Sequence, residues 1–131
     1  MGTAENMDVV RRFYGAGPAA DDSERRSFFA PDAVWHVPGD NPVSGPYRGI
    51  EQITGLMVER MAPLDDWRIE PRHMMANGDL VLAVVHVFGT RRGHSIKTHG
   101  GHVFRFDSDG RIAEAWGFTE DQAALDEFFR A

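Results

Sequence analysis

The stretch LVLAVVHVFGTRRGHSIKTHGGHVFRF, residues 80–106, decides the fold of this chain. Residues 80–90 are apolar at nearly every position, which is typical of a central strand covered on both faces. Arg91-Arg92-Gly93 marks a turn, and residues 95–106 form a second β segment. The stretch therefore predicts an antiparallel hairpin inside a larger sheet.

Alternation assigns the side chains of this hairpin to two faces. If the turn pairs the two strands, their even-numbered residues share one surface, which places His86 and His102 together. Beyond the turn at Ser108-Asp109-Gly110 the parity changes, which brings three small residues beside His102: Ala113, Ala115 and Gly117. Two histidines beside small side chains predict the wall of a ligand cavity. The alternative is that each histidine is a satisfied core residue.

The rest of the sequence adds strands beside this hairpin and helices before and after it. Turn signals bound two more strands, at residues 67–75 and 112–118, and a shorter strand at 33–37. Helical spacing of apolar residues predicts helices over 7–14, from Ala19 or Asp22 to Phe29, over 50–61 and over 123–129. Between these elements we expect a helix end at 15–18, a turn at Ala30-Pro31-Asp32, a surface loop at 39–49 and a capping box formed by Thr119 and Gln122.

This order of elements predicts one α+β domain over residues 1–131. Its expected form is a cone-shaped, curved antiparallel sheet with helices packed on the concave face.

Composition excludes several classes of function. A net charge of −6 without a run of Lys or Arg argues against nucleic acid or an anionic membrane as a partner. The absence of cysteine excludes disulfides and thiolate chemistry. No signal peptide or membrane-spanning run is recognisable, so a cytoplasmic location is expected. We expect neither metal nor cofactor, because His94, His99 and His102 lack metal-site spacing, His99 faces away from His102, and no nucleotide-binding motif is present.

The opposite face of the predicted sheet is also apolar. It is expected to carry Glu114, Trp116 and Phe118 together with Val81, Val85 and Val103. A face of this composition is too apolar for free solvent. A homodimer that covers it is therefore the expected assembly.

Three segments carry a family resemblance. Residues 28–39 (FFAPDAVWHVPG), 44–49 (SGPYRG) and 104–116 (FRFDSDGRIAEAW) resemble the SnoaL-like branch of the nuclear transport factor 2-like superfamily. The resemblance covers nearly the whole chain. It implies a scaffold that serves ketosteroid isomerases, polyketide cyclases, epoxide hydrolases, dehydratases and non-catalytic binding domains.

The ketosteroid isomerase pattern matches this chain only in part. The resemblance places its general-base aspartate on Val37 and its oxyanion tyrosine on Phe13, with Tyr14 adjacent. Its proton-donating acid falls on His102. Steroid double-bond isomerisation is therefore not expected, whereas a group that polarises a substrate oxygen is retained as an imidazole.

Polyketide cyclases of the family offer a second comparison, because they pair a histidine with an aspartate as acid and base. The resemblance implies His102 with Asp121 or Asp40 in these roles. The alternative for Asp121 is a structural place in the first turn of the last helix, where the dipole favours an acid.

These expectations define a candidate site for a cofactor-independent isomerase, cyclase or lyase. Acid–base chemistry on a hydrophobic, carbonyl-bearing small molecule is expected in an enclosed pocket. The predicted substrate-binding residues are Phe13, Tyr14, Trp35, His36, Val37, Met57, Met61, Val84, His86, Phe104 and Trp116. Alternation alone would put His36 and Trp116 outside, although a bend at Pro38-Gly39 could turn His36 inward. The alternative function is a non-catalytic dimeric module for ligand binding or interaction, since no carboxylate falls unambiguously inside the pocket.

Overall fold

The computed structural model describes residues 2–16 and 21–131. Its elements in chain order are α1 (Thr3–Ala16), α2 (Asp22–Ser27), β1 (Phe29–Val37), β2 (Gly45–Arg48), a π-helical turn (Gln52–Leu56), α3 (Met57–Met61), β3 (Asp66–Asn77), β4 (Leu80–Arg91), β5 (His94–Phe106), β6 (Ile112–Thr119) and α4 (Gln122–Arg130). The helix end predicted at 15–18 is wrong for Gly15 and Ala16, which still belong to α1, whereas residues 17–18 and the possible helix start at Ala19 lie outside the described residues. No helix in the described ranges is both long and apolar enough to span a bilayer.

Within the described residues, six strands form one curved sheet in the order β2-β1-β6-β5-β4-β3. β1 runs parallel to β6, and every other neighbouring pair is antiparallel. The parallel pair arises because β1 comes before β3, β4 and β5 in the chain and reaches β6 through a long connection. The predicted α+β class is confirmed, with a mixed sheet in place of a purely antiparallel one.

The turn between β4 and β5 sets the register of the hairpin. Arg91 pairs with His94, so only Arg92 and Gly93 form the turn, and both have positive φ, 50° and 81°. Two residues with positive φ are the requirement of the tight hairpin turn that matches strand twist. Because this turn has two residues and not three, odd positions of β4 face even positions of β5. The prediction that His86 shares a face with His102 is therefore wrong.

The concave face is built from the odd positions of β4. Val81, Ala83 and Val85 are fully buried there, so the expectation that Val81 and Val85 lie on the outer face is also wrong. Ala83 lies directly opposite His102, and Gly117 of β6 lies on its other side. Ala115 follows Gly117 in the same row as predicted, but a register shift between Arg105 and Phe106 leaves Ala113 unpaired.

Several predicted boundaries move for identifiable reasons. β1 already begins at Phe29, and Pro31 falls in the irregular stretch of the β1–β6 pairing, where the missing N–H of proline is tolerated. Part of the predicted surface loop, Gly45–Arg48, pairs with β1 as an edge strand. The last helix is capped by Asp121, whose side chain accepts a hydrogen bond from Ala124 N–H at 3.0 Å. Thr119 does not cap it, because its hydroxyl donates to the His99 carbonyl at 3.2 Å.

Candidate active site

A cavity of about 450 Å³ lies between the concave face of the sheet and the helices. Seven of the predicted site residues line it: Phe13, Tyr14, Trp35, Val37, Met57, Met61 and His102. The remainder of the wall is mostly aliphatic and aromatic, with Val85 and Val87 on the sheet and Leu125 and Phe129 on α4. Among the described lining residues there is no Asp or Glu. The cavity therefore suits an apolar molecule.

His102 occupies the middle of the sheet wall. Its cross-strand neighbours, Ala83 and Gly117, are small, so the imidazole stands above its surroundings. A Cβ at Gly117 would lie 3.3 Å from Pro38 Cδ, which is a tight contact, and 3.8 Å from His102 Cδ2, which is an ordinary one. The glycine thus keeps space open beside the histidine.

Tyr14 reaches the same place from α1. Its hydroxyl oxygen lies 2.6 Å from Nδ1 of His102, and the two ring centroids are 5.8 Å apart. Phe13, the preceding residue, packs edge-on against Phe104 at 5.8 Å and thereby fixes the last turns of α1 on the sheet. The Tyr14–His102 pair consequently links a helix to the centre of the sheet.

Aromatic rings surround this pair. The Trp35 ring lies 5.3 Å and the Phe104 ring 5.6 Å from the His102 ring, centroid to centroid. Burial removes water from the imidazolium and lowers the pKa of His102 to about 4. Burial also raises the pKa of the Tyr14 hydroxyl above its ordinary value. Both side chains are therefore neutral near pH 7.

The hydrogen-bond pattern assigns the proton of the imidazole. Tyr14 has no other hydrogen-bond partner in the described residues, so its O–H is satisfied only by donating to Nδ1. Neutral His102 then carries its proton on Nε2. Nε2 has no protein partner in this part of the chain, and it is not an enclosed atom, because only Asn6 Oδ1 and Arg111 Nε are buried without one. An N–H donor therefore faces the cavity.

Neither predicted partner carboxylate lines the cavity. Asp121 is the N-cap of α4, which is the structural alternative considered for it. Asp40 is almost fully exposed, with 97% of its side chain accessible, and pairs with Arg130 at 3.0 Å. The residues that the structure brings to His102 are Tyr14, Trp35 and Phe104.

Four further predicted site residues lie on the outer face of the sheet. His36 stacks on Trp116 at 5.5 Å and contacts Glu114 Oε2 through Nε2 at 2.7 Å, so strict alternation holds at Pro38-Gly39. Val84 and His86 occupy even positions of β4, which point to the outer face, so their predicted place in the cavity is wrong for the same reason of register. Phe104 is fully buried beneath the cavity as part of the core.

Sequence reasoning missed one wall and one end of the cavity. Val85 and Val87 were assigned to the other face, although the unbroken aliphatic row at odd positions of β4 was a signal for an inner wall. Trp67 and Phe129 close the far end, where their rings lie 5.5 Å apart. The helix that carries Phe129 is held in place by Arg91, whose guanidinium donates to the Phe129 carbonyl at 2.7 Å.

Known proteins are similar to this chain in sequence or in fold. An uncharacterised protein of Mycobacterium tuberculosis is 27% identical over 126 residues, which cover 95% of each chain. The structure of Bal32a from a soil-derived mobile gene cassette superposes with a TM-score of 0.90 at 25% identity, over 98% of each chain. A structure described as a putative SnoaL-like polyketide cyclase from Jannaschia shares the fold, with a TM-score of 0.78 and 20% identity over 98% of this chain and 94% of that one.

The fold is that of the nuclear transport factor 2-like class. Residues 10–115 match the model of the SnoaL-like domain, and the chain belongs to this family.

Proposed function

We propose that the cavity binds an apolar small molecule with a carbonyl or enol oxygen, and that the Tyr14–His102 pair promotes acid–base chemistry at that oxygen. The observation that carries the proposal is the unpaired Nε2 of His102 at the end of a buried hydrogen-bonded pair. In an apolar cavity this atom gains a partner only from a molecule that enters. Isomerases, cyclases and lyases use such donors to stabilise the enolate-like oxygen that develops in the transition state.

The charge state of His102 supports the role of a neutral donor. An imidazole with a pKa of about 4 holds a proton weakly, so it is a poor base for a carbon acid at neutral pH. As a neutral N–H it donates without having to give up its proton. We therefore infer that His102 stabilises negative charge on the substrate oxygen, while solvent water accepts the proton that leaves an already activated α-carbon of the substrate.

Tyr14 supports this role as a positioning residue. Its hydroxyl donates to Nδ1, which fixes the tautomer that presents Nε2–H to the cavity. The raised pKa of Tyr14 keeps the hydroxyl protonated, so the donation persists across the neutral range.

The cavity wall supports an apolar, carbonyl-bearing substrate class. Aromatic and aliphatic side chains exclude water from most of the wall, which strengthens a hydrogen bond made inside it. Among the described lining residues, the charged ones are Arg25 of α2 and Arg68 of β3. The membership of polyketide cyclases in the family is consistent with a substrate rich in carbonyl groups.

A second candidate function is a binding module without catalysis. The observation that favours it is the absence of Asp and Glu from the described lining residues, since proton abstraction from carbon usually employs a carboxylate or a more basic histidine. The two candidates share the ligand class and differ only in turnover.

Ligand binding is tested by calorimetric titration with 2-naphthol and with naphthalene, which differ by one oxygen. We expect 2-naphthol to bind at least about fivefold more tightly, since a hydrogen bond to a neutral group contributes roughly 1 kcal/mol or more. His102→Ala should abolish this preference. Thr98→Val, which changes another polar lining residue, is the matched control and should retain it. An equal affinity for both probes would overturn the assignment of His102.

Catalysis is tested separately with 2-tetralone in D2O, by following exchange of its α-hydrogens. The enzyme interpretation expects the wild-type protein to accelerate exchange, and His102→Ala to lower the acceleration by about a hundredfold. If the wild-type protein binds 2-naphthol with the His102-dependent preference but leaves the exchange rate at that of buffer, the binding module is the correct function.

A further inference from the structure

The outer face of the sheet carries a transverse row of four ionisable residues. Glu70 of β3 is paired with His86 of β4, and His86 is paired with His99 of β5. Glu120, just after β6, donates its backbone N–H to the His99 carbonyl at 3.0 Å and completes the row. The sequence of side chains across the sheet is therefore carboxylate, imidazole, imidazole, carboxylate.

The hydrogen bonds along this row all donate in the same direction, from Arg72 towards Glu120. An Arg72 guanidinium N–H donates to Nδ1 of His86 at 3.2 Å, so the neutral His86 ring carries its proton on Nε2. That N–H contacts Nε2 of His99, which accepts. His99 then carries its proton on Nδ1, and this N–H donates to Glu120 Oε1 at 3.0 Å. A single proton thus lies between two converging Nε2 atoms.

We propose that His86 and His99 chelate a divalent transition-metal ion through their Nε2 atoms, in place of the shared proton. Neutral imidazole is the ligand that Zn²⁺, Ni²⁺ and Cu²⁺ prefer, and two imidazoles on directly opposed strand positions converge without a change in the backbone. The side chain of His99 is 55% exposed, so an ion reaches the pair from solvent. This site is separate from the cavity, on the other face of the sheet.

Carboxylates beside the two imidazoles support the assignment. A metal-bound imidazole generally donates its other ring N–H to a carboxylate, which orients the ring and raises its basicity. Glu120 already holds His99 in this way. Glu70 is the matching carboxylate for His86. At present the Arg72 guanidinium lies between them, with one nitrogen 3.2 Å from Glu70 Oε2 and 3.2 Å from Nδ1 of His86.

Because the two Nε2 atoms are in direct contact, metal binding requires the imidazole rings to turn apart to admit the ion, together with a balanced rearrangement of the proton. The His86 proton moves from Nε2 to Nδ1, the Arg72 guanidinium swings away, and the new Nδ1–H donates to Glu70. Arg72 is 49% exposed and free to leave toward solvent. No group of three or more His, Asp or Glu side chains converges on one point in the described residues, so water fills the other positions of the ion. Loss of Arg72 should therefore strengthen the site.

The proposal is tested by titration of the full chain with Ni²⁺ at pH 7.5, and by the electron paramagnetic resonance spectrum of added Cu²⁺. We expect one ion per chain with two imidazole nitrogens bound. His86→Ala and His99→Ala should each weaken Ni²⁺ binding by at least about tenfold, and Glu120→Gln by about tenfold. Arg72→Gln should tighten it.

Two histidines on the same half of the chain provide matched controls. His73→Ala and His94→Ala should leave the Ni²⁺ affinity unchanged. The proposal is overturned if the affinity is the same in His86→Ala and His99→Ala as in the wild type, or if it falls only in a control. To guard against misfolded variants, ¹⁵N spectra of the wild-type histidines with Zn²⁺ should show the His86 and His99 Nε2 signals moving together, and unmoved signals would also contradict the site.

Discussion

The hydroxyl of Tyr14 and Nδ1 of His102 lie 2.6 Å apart, although 88 positions separate the two residues in sequence. The contact joins the end of α1 to the middle of β5. It satisfies the side-chain hydroxyl of Tyr14 and one of the two ring nitrogens of His102. Fold stability and the orientation of the cavity donor therefore depend on the same hydrogen bond.

Tyr14→Phe should separate these two consequences. Removing the hydroxyl leaves Nδ1 of His102 buried without a partner, which should lower the free energy of unfolding by about 1–3 kcal/mol. The imidazole is then free to carry its proton on either nitrogen. Urea unfolding gives the first effect and ¹⁵N shifts of His102 give the second. An unchanged tautomer would show that the cavity, and not Tyr14, orients the ring.

The low pKa of His102 makes stability depend on pH in a defined window. In the unfolded chain the imidazole titrates near its ordinary pKa of 6.5, and in the fold near 4, so between these values the unfolded state binds more protons. Relative to His102→Gln, the wild-type protein should keep full stability above pH 6.5. It should lose about 3 kcal/mol as the pH falls from 6.5 to 4. Parallel pH profiles for the two proteins would contradict the burial of His102.

Asp121 offers a direct contrast between capping and catalysis. Asp121→Ala should lower stability by about 1 kcal/mol, because Ala124 N–H loses its acceptor, and Asp121→Asn should lower it only slightly, because asparagine also caps. Neither change should alter affinity for 2-naphthol. A large loss of α-hydrogen exchange in Asp121→Asn, with normal stability, would instead show that the Asp121 carboxylate acts as the base.

The outer face should associate with a second copy of the chain. Phe118 is 46% exposed there, beside Trp116 and Val103. The neighbouring pairs of Glu114 with His36 and Arg105 are balanced in charge, which a self-complementary interface requires. Light scattering is expected to give a dimer for the wild type and a monomer for Phe118→Glu. Val58→Glu, at an exposed position of α3 on the cavity side of the sheet, is the control, and a wild-type monomer would refute the interface.

The predicted α+β order and the cavity position of His102 follow from patterns that local sequence carries. Apolar alternation and turn residues locate strands because side-chain direction has a period of two. Phe13, Tyr14 and Trp35 were placed in the cavity by the same reasoning from helical and strand periodicity, together with the family resemblance. These residues occupy positions where the local pattern and the final packing agree.

The errors arose where one residue changes the outcome for a whole strand. Reading Arg91-Arg92-Gly93 as a three-residue turn moved His86 and Val84 to the wrong side, since a shift of one position inverts every side chain beyond it. The hydrogen bond between Tyr14 and His102 was not predictable, because it depends on how α1 packs across the sheet. The role of Asp121 required the exact first residue of α4, and helix ends are poorly determined by pattern alone.

The two-residue turn at Arg92-Gly93 has a consequence for how this scaffold changes its chemistry. A slip of β5 by one residue against a fixed β4 would turn Thr98, His102 and Phe104 outward and bring His99, Val103 and Arg105 inward. The cavity would then present a different imidazole and a guanidinium without a single substitution inside it. The turn that fixes the register therefore also fixes whether the pocket of this fold is neutral or charged.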